Sequence, residues 1–444
     1  MPPTSTPVQL LSDFYWAAVR AAQPGPALIA ALKTGKPPTG RRVFILALGK
    51  AAFTMARAST DFLRELGLEP AGGVIVGTTR DPAPHPRLQV QPGNHPNPGP
   101  DSFAAADAIG ALTTQVRAED EVWVLLSGGA SSLTAGPLEG VSPADLQQLY
   151  GLLLGSGLDI AAMNQIRKRF SRWGGGRLAA ALAPARVRYF VVSDVIGDDL
   201  PSIGSGPCVP DPTTAAQARA LLTSAGLWPR LPSALRGRIE AADRGELPET
   251  PKPGDPAFEN MEVRLIVSNR LALEAAASEA RLRGLDALVL GADLAGEASQ
   301  VGTRIADAAL NYRPATAPAQ REMHKNTLMI WGGETTITLG PSPGPGGRAQ
   351  ELALAAARTL GARKGRGITI LAAGTDGRDG PTDAAGAFVN SETWEAIRKK
   401  GRDPERDLAT HGPYPALEAV GALLKTGPTG TNVMDVVMAL VETK

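Results

Sequence analysis

Cysteine and histidine are scarce in this chain of 444 residues, which contains one cysteine, Cys208, and four histidines. A single cysteine excludes an internal disulfide and a cysteine-cluster metal site, and it is typical of a protein from a reducing compartment. The histidines are scattered and form no H-E-x-x-H motif, which argues against a histidine-based metal site. The sequence therefore lacks the residues for a thiolate or imidazole metal centre.

The chain also lacks a net charge of either sign and long apolar runs. It has 45 Lys and Arg against 44 Asp and Glu, so no overall field attracts nucleic acid or an acidic membrane. No uncharged apolar run is long enough to cross a bilayer, and the first residues, M-P-P-T-S-T-P, do not resemble a signal peptide. We expect a cytoplasmic protein that binds neither nucleic acid nor membranes, and a homodimer is compatible with the sequence.

The length and the pattern of the chain predict two α/β domains. A chain of 444 residues exceeds what one hydrophobic core usually organises. Short runs rich in Val, Ile and Leu alternate with helical stretches in both halves, and the segment 246–258 is polar and rich in proline. We expect one domain over 1–245, a linker over 246–258 and a second domain over 259–444, with ligands in a cleft between the domains.

A glycine-rich turn follows a strongly apolar run. The run V-W-V-L-L at 122–126 predicts a buried parallel strand, and S-G-G at 127–129 ends it. Glycines let the backbone approach a ligand closely, and Ser131 and Ser132 add hydroxyl donors. A phosphate or carboxylate can therefore bind to backbone N–H groups at the following helix start. A tight turn without a ligand explains this stretch equally well.

Lys50 follows another predicted strand, over 42–48. In open α/β sheets ligands bind beyond the carboxyl ends of the strands, so Lys50 is placed to meet a phosphate as a point charge. A solvated lysine at a helix start is the alternative. This is not a P-loop lysine, because Phe44 and Ala51 stand where that motif needs a glycine and a hydroxyl. The G-x-G-x-x-G of dinucleotide-binding folds is also missing from this turn.

Aspartates cluster after two further predicted strands. Such carboxylates suit a metal ion or substrate hydroxyls, with a solvated loop as the alternative. The second cluster is not an EF-hand loop, because its twelfth position is Ala387. The candidates are Asp194, Asp198 and Asp199 after the strand over 188–192, and Asp376, Asp379 and Asp383 after the strand over 368–373.

Three other stretches carry charge or polar groups that suit a ligand. Arg348 begins a predicted helix, where a cation is unfavourable unless an anion shares the site, so we expect a phosphate clamp there. The loop over 81–100 is dense in Pro and Gly and is predicted to lack secondary structure, holding Asn94 and His95 toward a ligand; for His95 alone, a structural role fits better. The basic run at 167–169 indicates either an anion site or a solvated helix face.

Several strand ends thus carry small, polar or charged clusters. If both domains face one cleft, the backbone turns, Lys50 and Arg348 suit a polyphosphate, and the aspartates suit a divalent cation. The sequence therefore indicates phosphoryl transfer.

The chain also resembles the glycerate 2-kinases whose C-terminal part is called the MOFRL domain, a family often labelled hydroxypyruvate reductase. The matching segments lie in the family's order along almost the whole chain. They are L-G-K-A-A at 48–52, N-H-P-N-P-G-P-D-S at 94–102, L-L-S-G-G-A-S-S-L at 125–133, S-D-V-I-G-D-D-L-P-S-I-G-S-G-P at 193–207, G-G-E-T-T at 332–336, G-G-R-A-Q-E-L-A-L at 346–354 and G-T-D-G-R-D-G-P-T-D-A-A-G-A at 374–387.

The resemblance implies ATP- and Mg²⁺-dependent phosphorylation of D-glycerate to 2-phosphoglycerate. It also implies a Rossmann-like N-terminal α/β domain and a second, MOFRL-type α/β domain, with the active site in the cleft between them. An NAD(P)H-dependent hydroxypyruvate reductase is the alternative enzyme, and the missing glycine fingerprint argues against it. A sugar-acid sensor without catalysis is a third reading, which a turnover assay would separate.

The resemblance also implies roles for individual residues. The implied catalytic residues are Lys50, Asp194 and Arg348, with Asp194 orienting or deprotonating the attacking hydroxyl. The implied substrate and phosphate contacts are Asn94, Ser127, Gly128, Gly129, Ser131, Ser132, Ser205 and Gly206. The implied nucleotide contacts are Gly333, Glu334, Gly347 and Glu351, and the implied metal ligands are Asp198, Asp376 and Asp383. One departure is Arg169, which stands where the family has a histidine, so any role of that histidine does not carry over.

Overall fold

The computed structural model describes residues 6–313 and 326–442, which form two compact units. We call Pro24–Ile266 the central unit; the terminal unit joins Met1–Gln23 to the chain from Val267 onward. This division differs from the one expected from the sequence at both ends. The first helix, α1 (Pro7–Ala21), packs on the terminal unit, and the expected linker over 246–258 lies inside the central unit.

The central unit contains a six-stranded sheet with the order β3-β2-β1-β4-β5-β6. The pairs β1–β2, β2–β3, β1–β4 and β4–β5 are parallel. All residues of β1, β2 and β4 are buried, as expected for strands that are covered on both faces. The strands are β1 (Val43–Leu48), β2 (Gly72–Gly77), β3 (Leu88–Pro92), β4 (Glu121–Leu126), β5 (Arg186–Val192) and β6 (Met261–Val267).

Nine helices of the central unit connect these strands or extend from them within the described residues. They are α2 (Pro24–Lys33), α3 (Ala52–Glu65), α4 (Pro100–Thr113), α5 (Ala130–Leu133), α6 (Pro143–Leu154), α7 (Ile160–Arg167), α8 (Arg177–Leu182), α9 (Ala215–Ser224) and α10 (Ser233–Asp243).

The strand order defines where a ligand should bind in the central unit. The chain runs from β1 outward to β3 and then returns to place β4 on the other side of β1. This order is that of doubly wound dinucleotide folds, in which the crevice beyond the carboxyl ends of the strands opens at the reversal point. The predicted Rossmann-like architecture is therefore confirmed, and the ends of β1 and β4 flank its switch point.

The prediction that residues 81–100 lack secondary structure was wrong in one respect, because this segment contains β3. This strand lies at the edge of the sheet, and its last residue, Pro92, needs no ladder N–H at that position. Its residues are also only partly buried beyond Leu88. An edge strand with proline and little apolar character carries a weak sequence signal.

The terminal unit contains a mixed sheet with the order β11-β10-β9-β12-β8-β7. The strand β12 runs antiparallel to both β8 and β9, whereas β7 and β8 are parallel. The predicted second α/β domain is thus confirmed. Its strands are β7 (Asp286–Leu294), β8 (Thr327–Gly333), β9 (Ile368–Gly374), β10 (Gly386–Asn390), β11 (Leu423–Leu424) and β12 (Asp435–Val441).

Helices pack on this second sheet, and α13 carries an almost wholly buried Ala- and Leu-rich stretch. Tyr15 of α1 donates a hydrogen bond from its hydroxyl to the Gly374 carbonyl (2.8 Å), which joins the first helix to the end of β9. The further helices described are α11 (Asn269–Leu282), α12 (Ala298–Asn311), α13 (Arg348–Ala362), α14 (Thr393–Lys399), α15 (Pro404–Ala409) and α16 (Pro413–Glu418).

The basic run at 167–169 is buried, so its reading as a solvated helix face was wrong. Arg169 Nη2 lies 2.8 Å from Asp211 Oδ2, and Lys168 Nζ lies 3.5 Å from Asp211 Oδ1. Arg169 also pairs with Glu249, and the Arg167 guanidinium lies 4.5 Å from the centroid of the Tyr150 ring. These cations are neutralised or stacked inside the protein.

Helices that combine enough length and apolar character to cross a bilayer are absent from residues 6–313 and 326–442.

The substitution Asp211→Asn should strongly destabilise the protein, because it leaves Lys168 and Arg169 buried with too little negative charge. Breaking a buried ion pair costs about 3–5 kcal/mol of unfolding free energy, which urea denaturation measures. The matched control is Glu246→Gln, which breaks an exposed pair with Arg244 and should leave the urea midpoint unchanged. Equal effects of both substitutions would contradict the structural role of Asp211.

Candidate active site

The turns that follow β1 and β4 are bonded to each other. Ser127 N donates to the Leu48 carbonyl (2.9 Å), and Lys50 N donates to the Gly128 carbonyl (3.0 Å). Ala51 N donates to Ser127 Oγ (3.0 Å). The two turns are therefore held side by side at the switch point of the central sheet.

Glycine is required where these turns meet. Gly49 has a φ of 115°, and a Cβ at this position would lie 2.3 Å from the Ser127 carbonyl oxygen. Any larger residue would be strained in its own backbone and would push the two turns apart. The glycine in the L-G-K-A-A motif thus lets Lys50 lie next to the turn after β4.

Asp194, two residues beyond β5, places its carboxylate against the backbone of Gly128. A Cβ at Gly128 would lie 1.8 Å from Asp194 Oδ2, so glycine makes room for this carboxylate. Burial raises the pKa of Asp194, and the charge of Lys50 acts in the opposite direction without cancelling the shift. Asp194 is therefore a better proton acceptor near neutral pH than an exposed aspartate.

Two further side chains border the next glycine. Gly129 has a φ of 85°, and a Cβ there would lie 3.4 Å from Lys50 Cε and 3.3 Å from His95 Cδ2. Lys50, Asp194 and His95 thus converge on two consecutive glycines. The sequence analysis identified the first two and assigned His95 a structural role.

The serines of the predicted anion pocket differ in how free their hydroxyls are. Ser127 Oγ is bonded to the backbone of the first turn, and Ser132 Oγ donates to the Gly129 carbonyl (3.2 Å). Ser131 Oγ lies 2.7 Å from Ser205 Oγ and is less buried than either. Ser127 and Ser132 thus stabilise the turns, whereas the hydroxyls of Ser131 and Ser205 are hydrogen-bonded to each other. Ligand contacts by these serines remain predictions.

Asn94 and Gly206 have structural functions in this unit. Asn94 Oδ1 accepts from Asp101 N (3.0 Å) and Ser102 N (3.4 Å), so this side chain caps α4. Gly206 has a φ of 58°, and its carbonyl accepts from Gly176 N (2.8 Å). Ligand contacts by these two residues remain predictions.

A second polar cluster lies at one edge of the sheet in the terminal unit. Because β12 is antiparallel to its neighbours, its first residue, Asp435, lies between the last residues of β8 and β9, Gly333 and Gly374. Gly333 has a φ of 137°, and a Cβ there would lie 2.4 Å from Leu294 N. The Asp435 carboxylate therefore lies where two neighbouring strands end in glycine.

Arg348, the first residue of α13, binds this carboxylate. Its Nε and Nη2 lie 2.6 and 3.1 Å from the two oxygens of Asp435, and its Nη1 lies 2.8 Å from Glu334 Oε1. The anion that a cation at a helix start requires is therefore supplied by the protein itself. Asp435 is 7% exposed and Glu334 is 45% exposed, so Glu334 is the partner that is open to solvent.

The start of α13 is capped by a buried aspartate. Asp379 accepts from Ala349 N (3.1 Å) and Gln350 N (2.8 Å), and a Cβ at Gly347 would lie 2.3 Å from the Asp379 carboxyl carbon. Burial raises the pKa of Asp379 to about 7, although these backbone donors lower it. Gly347, a predicted nucleotide contact, thus has a packing function, and its ligand role remains a prediction.

Glu351 belongs to a separate pair. Its carboxylate is 1% exposed and lies 2.9 Å from His411 Nδ1. Burial raises the pKa of Glu351, and His411 lowers it in part. The structure therefore gives the predicted nucleotide contact at Glu351 no open face, and the contact remains untested.

The predicted metal ligands have different surroundings. Asp383 is engaged by Lys425 Nζ (3.1 Å) and by the Tyr414 hydroxyl (2.8 Å). Asp376 accepts one hydrogen bond, from Arg378 N (3.0 Å), and Asp198 has no side-chain hydrogen bond to any described residue. Within the described ranges, no three His, Cys, Asp or Glu side chains form a metal-ligating group. A magnesium ion held by one or two carboxylates and by substrate phosphates would fit Asp198 or Asp376 better than Asp383.

The sequence analysis did not identify Asp435. Its position beside Gly333 and Gly374 depends on the antiparallel register of β12, which begins well beyond the last motif, at 374–387. The G-G-E-T-T and G-T-D-G motifs marked the two neighbouring strand ends, but no signal in the sequence joined them to residue 435.

Comparisons with known proteins agree with this architecture. A family model described as a domain of unknown function, DUF4147, matches residues 10–240, and the MOFRL family model matches residues 327–435. A glycerate 2-kinase from Pyrococcus horikoshii is 38% identical, over 96% of this chain and 96% of its own length. A solved structure of glycerate kinase from Thermotoga maritima has a TM-score of 0.85 and 35% identity, over 98% of this chain and 99% of its own.

One relative has a different name. A protein from Agrobacterium vitis, 37% identical over 98% of this chain and 94% of its own length, carries hydroxypyruvate reductase in its name. Both names occur among relatives of similar identity and coverage. The chain is a two-unit α/β protein with a MOFRL segment. It belongs to the glycerate kinase family, and the resemblance inferred from the motifs is confirmed.

The substitution Gly49→Ala should destabilise the central unit, because its Cβ would strike the Ser127 carbonyl in a backbone conformation that alanine disfavours. We expect a loss of about 1–3 kcal/mol in the free energy of unfolding, measured by urea denaturation. The control is Gly151→Ala, a helical site with nothing within 4 Å of the added methyl, which should leave stability unchanged or raised. An equal stability of both variants and the parent would contradict the close approach of the two turns.

Proposed function

We propose that the protein transfers the γ-phosphoryl group of ATP to the 2-hydroxyl of D-glycerate, giving 2-phosphoglycerate and ADP. The observation that carries this proposal is the convergence of Lys50 and Asp194 on Gly128 and Gly129 at the switch point of the central sheet. Membership of the glycerate kinase family supports the choice of substrate. The site supplies a cation, backbone groups at two glycines and a base.

The backbone at the two glycines and Lys50 would hold anionic oxygen atoms. Glycines leave the peptide groups open to a ligand, and the exposed Lys50 ammonium lies beside them as a compact positive charge. Phosphoryl transfer depends chiefly on positioning and on neutralising the negative charge of the moving phosphoryl group. Lys50 is therefore the residue whose loss should affect turnover most directly.

Asp194 would act as the base. Its carboxylate accepts the proton of the substrate hydroxyl as the hydroxyl oxygen forms a bond to the γ-phosphorus. The bond from that phosphorus to the bridging oxygen breaks, and the electron pair leaves with ADP. The raised pKa of Asp194 suits this task, because a base with a pKa nearer the working pH accepts a proton more readily.

Arg348 would bind a phosphate or carboxylate oxygen in exchange for Glu334. Asp435 holds two of its nitrogens, which leaves Nη1 oriented by an exposed partner alone. Asp198 or Asp376 would ligate Mg²⁺, which when bound neutralises charge on the nucleotide phosphates. The buried, single Cys208 is consistent with function in the cytoplasm.

A hydroxypyruvate reductase would need a dinucleotide site at the same switch point. The strand order is compatible with such a site, but the turn after β1 carries Lys50 where the fingerprint glycines would stand. A solvent-facing lysine is suited to binding a phosphate through its charge. It is less suited to a dinucleotide site, where glycines let the pyrophosphate pack closely against the start of a helix. The kinase is therefore the function that the site supports best.

The kinase reaction can be tested with D-glycerate, ATP and Mg²⁺, with ADP release coupled to NADH oxidation and the product identified by phosphorus NMR. We expect 2-phosphoglycerate from the parent and a fall in kcat/KM of about 100-fold or more for Lys50→Met, because the transferred phosphoryl loses its cation. The control is Lys33→Met, an exposed lysine paired with Glu65, which should behave as the parent. Consumption of NADH with hydroxypyruvate alone, without ADP formation from glycerate, would overturn the proposal.

The role of Asp194 predicts a pH dependence. A base must be ionised to act, so activity falls as the pH drops through the raised pKa of Asp194. The acidic limb of kcat/KM should therefore lie above the usual aspartate range near about 3.9. Removing the Lys50 charge in Lys50→Met should move the acidic limb of the residual activity to higher pH.

The substitution Asp194→Asn should lower kcat by about 10²–10⁴-fold, because it removes the base. A variant with parental kcat would refute the assignment.

A further inference from the structure

The loop that carries His95 is fixed to the core of the central unit on both sides. Gly93 N donates to the Gly77 carbonyl (2.9 Å), and a Cβ at Gly93 would lie 2.4 Å from the Leu133 carbonyl oxygen. On the other side, Asn94 caps α4 through its Oδ1. The backbone before His95 therefore has little freedom, and the position of His95 follows from packing.

This frame directs His95 toward the two-glycine turn. Its Cδ2 and Nε2 atoms would lie 3.3 and 3.4 Å from a Cβ at Gly129, on the same glycine that Lys50 borders. The residue is exposed, and its ring has no hydrogen bond to any described residue. An exposed ring edge with a free nitrogen thus borders the proposed ligand position. The neighbouring Asn94 side chain is engaged in capping α4, whereas the His95 ring is accessible to a ligand.

The surroundings of the ring favour its neutral form. Partial desolvation of the ring, whose surface is not fully exposed, and the nearby charge of Lys50 both lower the pKa of His95. A neutral imidazole carries one N–H donor and one acceptor, and it does not add a second positive charge beside Lys50. It can therefore donate a hydrogen bond to an anionic oxygen from its one N–H group.

We propose that His95 contacts the substrate complex by donating a hydrogen bond from Nε2 to an anionic oxygen held over Gly128 and Gly129. This inference rests on the proposed function and adds a binding residue to it. The acceptor is either the D-glycerate carboxylate or the transferred phosphoryl group, which share the chemistry of an anionic oxygen. Loss of a carboxylate contact would raise the KM for D-glycerate, whereas loss of a phosphoryl contact would lower kcat or raise the KM for ATP.

The test compares two substitutions at this position. His95→Leu keeps the volume but removes the donor, and we expect a fall in kcat/KM of about 10- to 100-fold, because hydrogen bonds to charged groups are the stronger class. His95→Gln retains an N–H donor close to the position of Nε2 and should recover most of this loss. The control is His85→Leu, before β3; Nδ1 of His85 accepts from Arg87 N, and this variant should keep parental kinetics.

Two outcomes would overturn the inference. Parental kinetics for His95→Leu would exclude a ligand contact, and a His95→Gln variant as impaired as His95→Leu, with a parental melting temperature, would exclude the donor role. If His95→Leu does not fold, the response of the His95 ring resonances to ligand decides the question.

A binding measurement separates this inference from the proposed function. The chain has four histidines, so the ring nitrogen resonances of a ¹⁵N-labelled sample can be assigned from single variants. Addition of D-glycerate, or of ATP with Mg²⁺, should shift the His95 resonances and leave those of His85 in place. A parent that binds but does not phosphorylate glycerate would refute the proposed function alone, whereas unshifted His95 resonances under saturating ligands would refute this inference alone.

Discussion

The hydrogen bond from Lys50 N to the Gly128 carbonyl joins the two turns on which the candidate site of the central unit depends. It forms because β1 and β4 are parallel neighbours at the reversal of the strand order, so that the turns that follow them lie side by side. Glycine at 49 lets the turns approach, and glycine at 128 and 129 leaves room for three side chains from three different loops. Backbone geometry therefore allows Lys50, His95 and Asp194 to approach the same two glycines.

In the terminal unit, carboxylates compensate the charge of an arginine that lies at the start of a helix. Arg348 occupies a helix start, where the dipole opposes a cation, and two carboxylates neutralise it. Asp435 is buried and binds through two hydrogen bonds, whereas Glu334 is half exposed and binds through one. Under the proposed function, Arg348 would exchange Glu334 for an anion while it keeps its bonds to Asp435.

Much of this organisation could be predicted from the sequence, for a physical reason. Strands buried on both faces appear as continuous apolar runs, and the motifs at their ends mark the turns, so β1, β4, β5 and β9 with Lys50 and Asp194 were identified. The edge strand β3 was missed, because one side of an edge strand needs neither apolar residues nor a full ladder. The sequence also contained no indication of the register of β12, so the position of Asp435 could not be predicted.

Long-range pairing and side-chain direction account for the remaining differences. The partner of Arg169 is Asp211, 42 residues later, so the sequence around the basic run could not show that its charges are compensated. Asn94 and His95 are adjacent in a motif, yet one caps a helix and the other borders Gly129. Which of two neighbours faces a ligand depends on the loop backbone, and spacing alone does not reveal it.

The most direct test of the account is a crystal structure of the Asp194→Asn variant with D-glycerate bound. The account predicts glycerate over Gly128 and Gly129, with an anionic oxygen near the Lys50 ammonium and the 2-hydroxyl beside residue 194. Glycerate bound away from this turn, with Lys50 and residue 194 both free of it, would contradict the central claim that the meeting of the turns after β1 and β4 forms the substrate site.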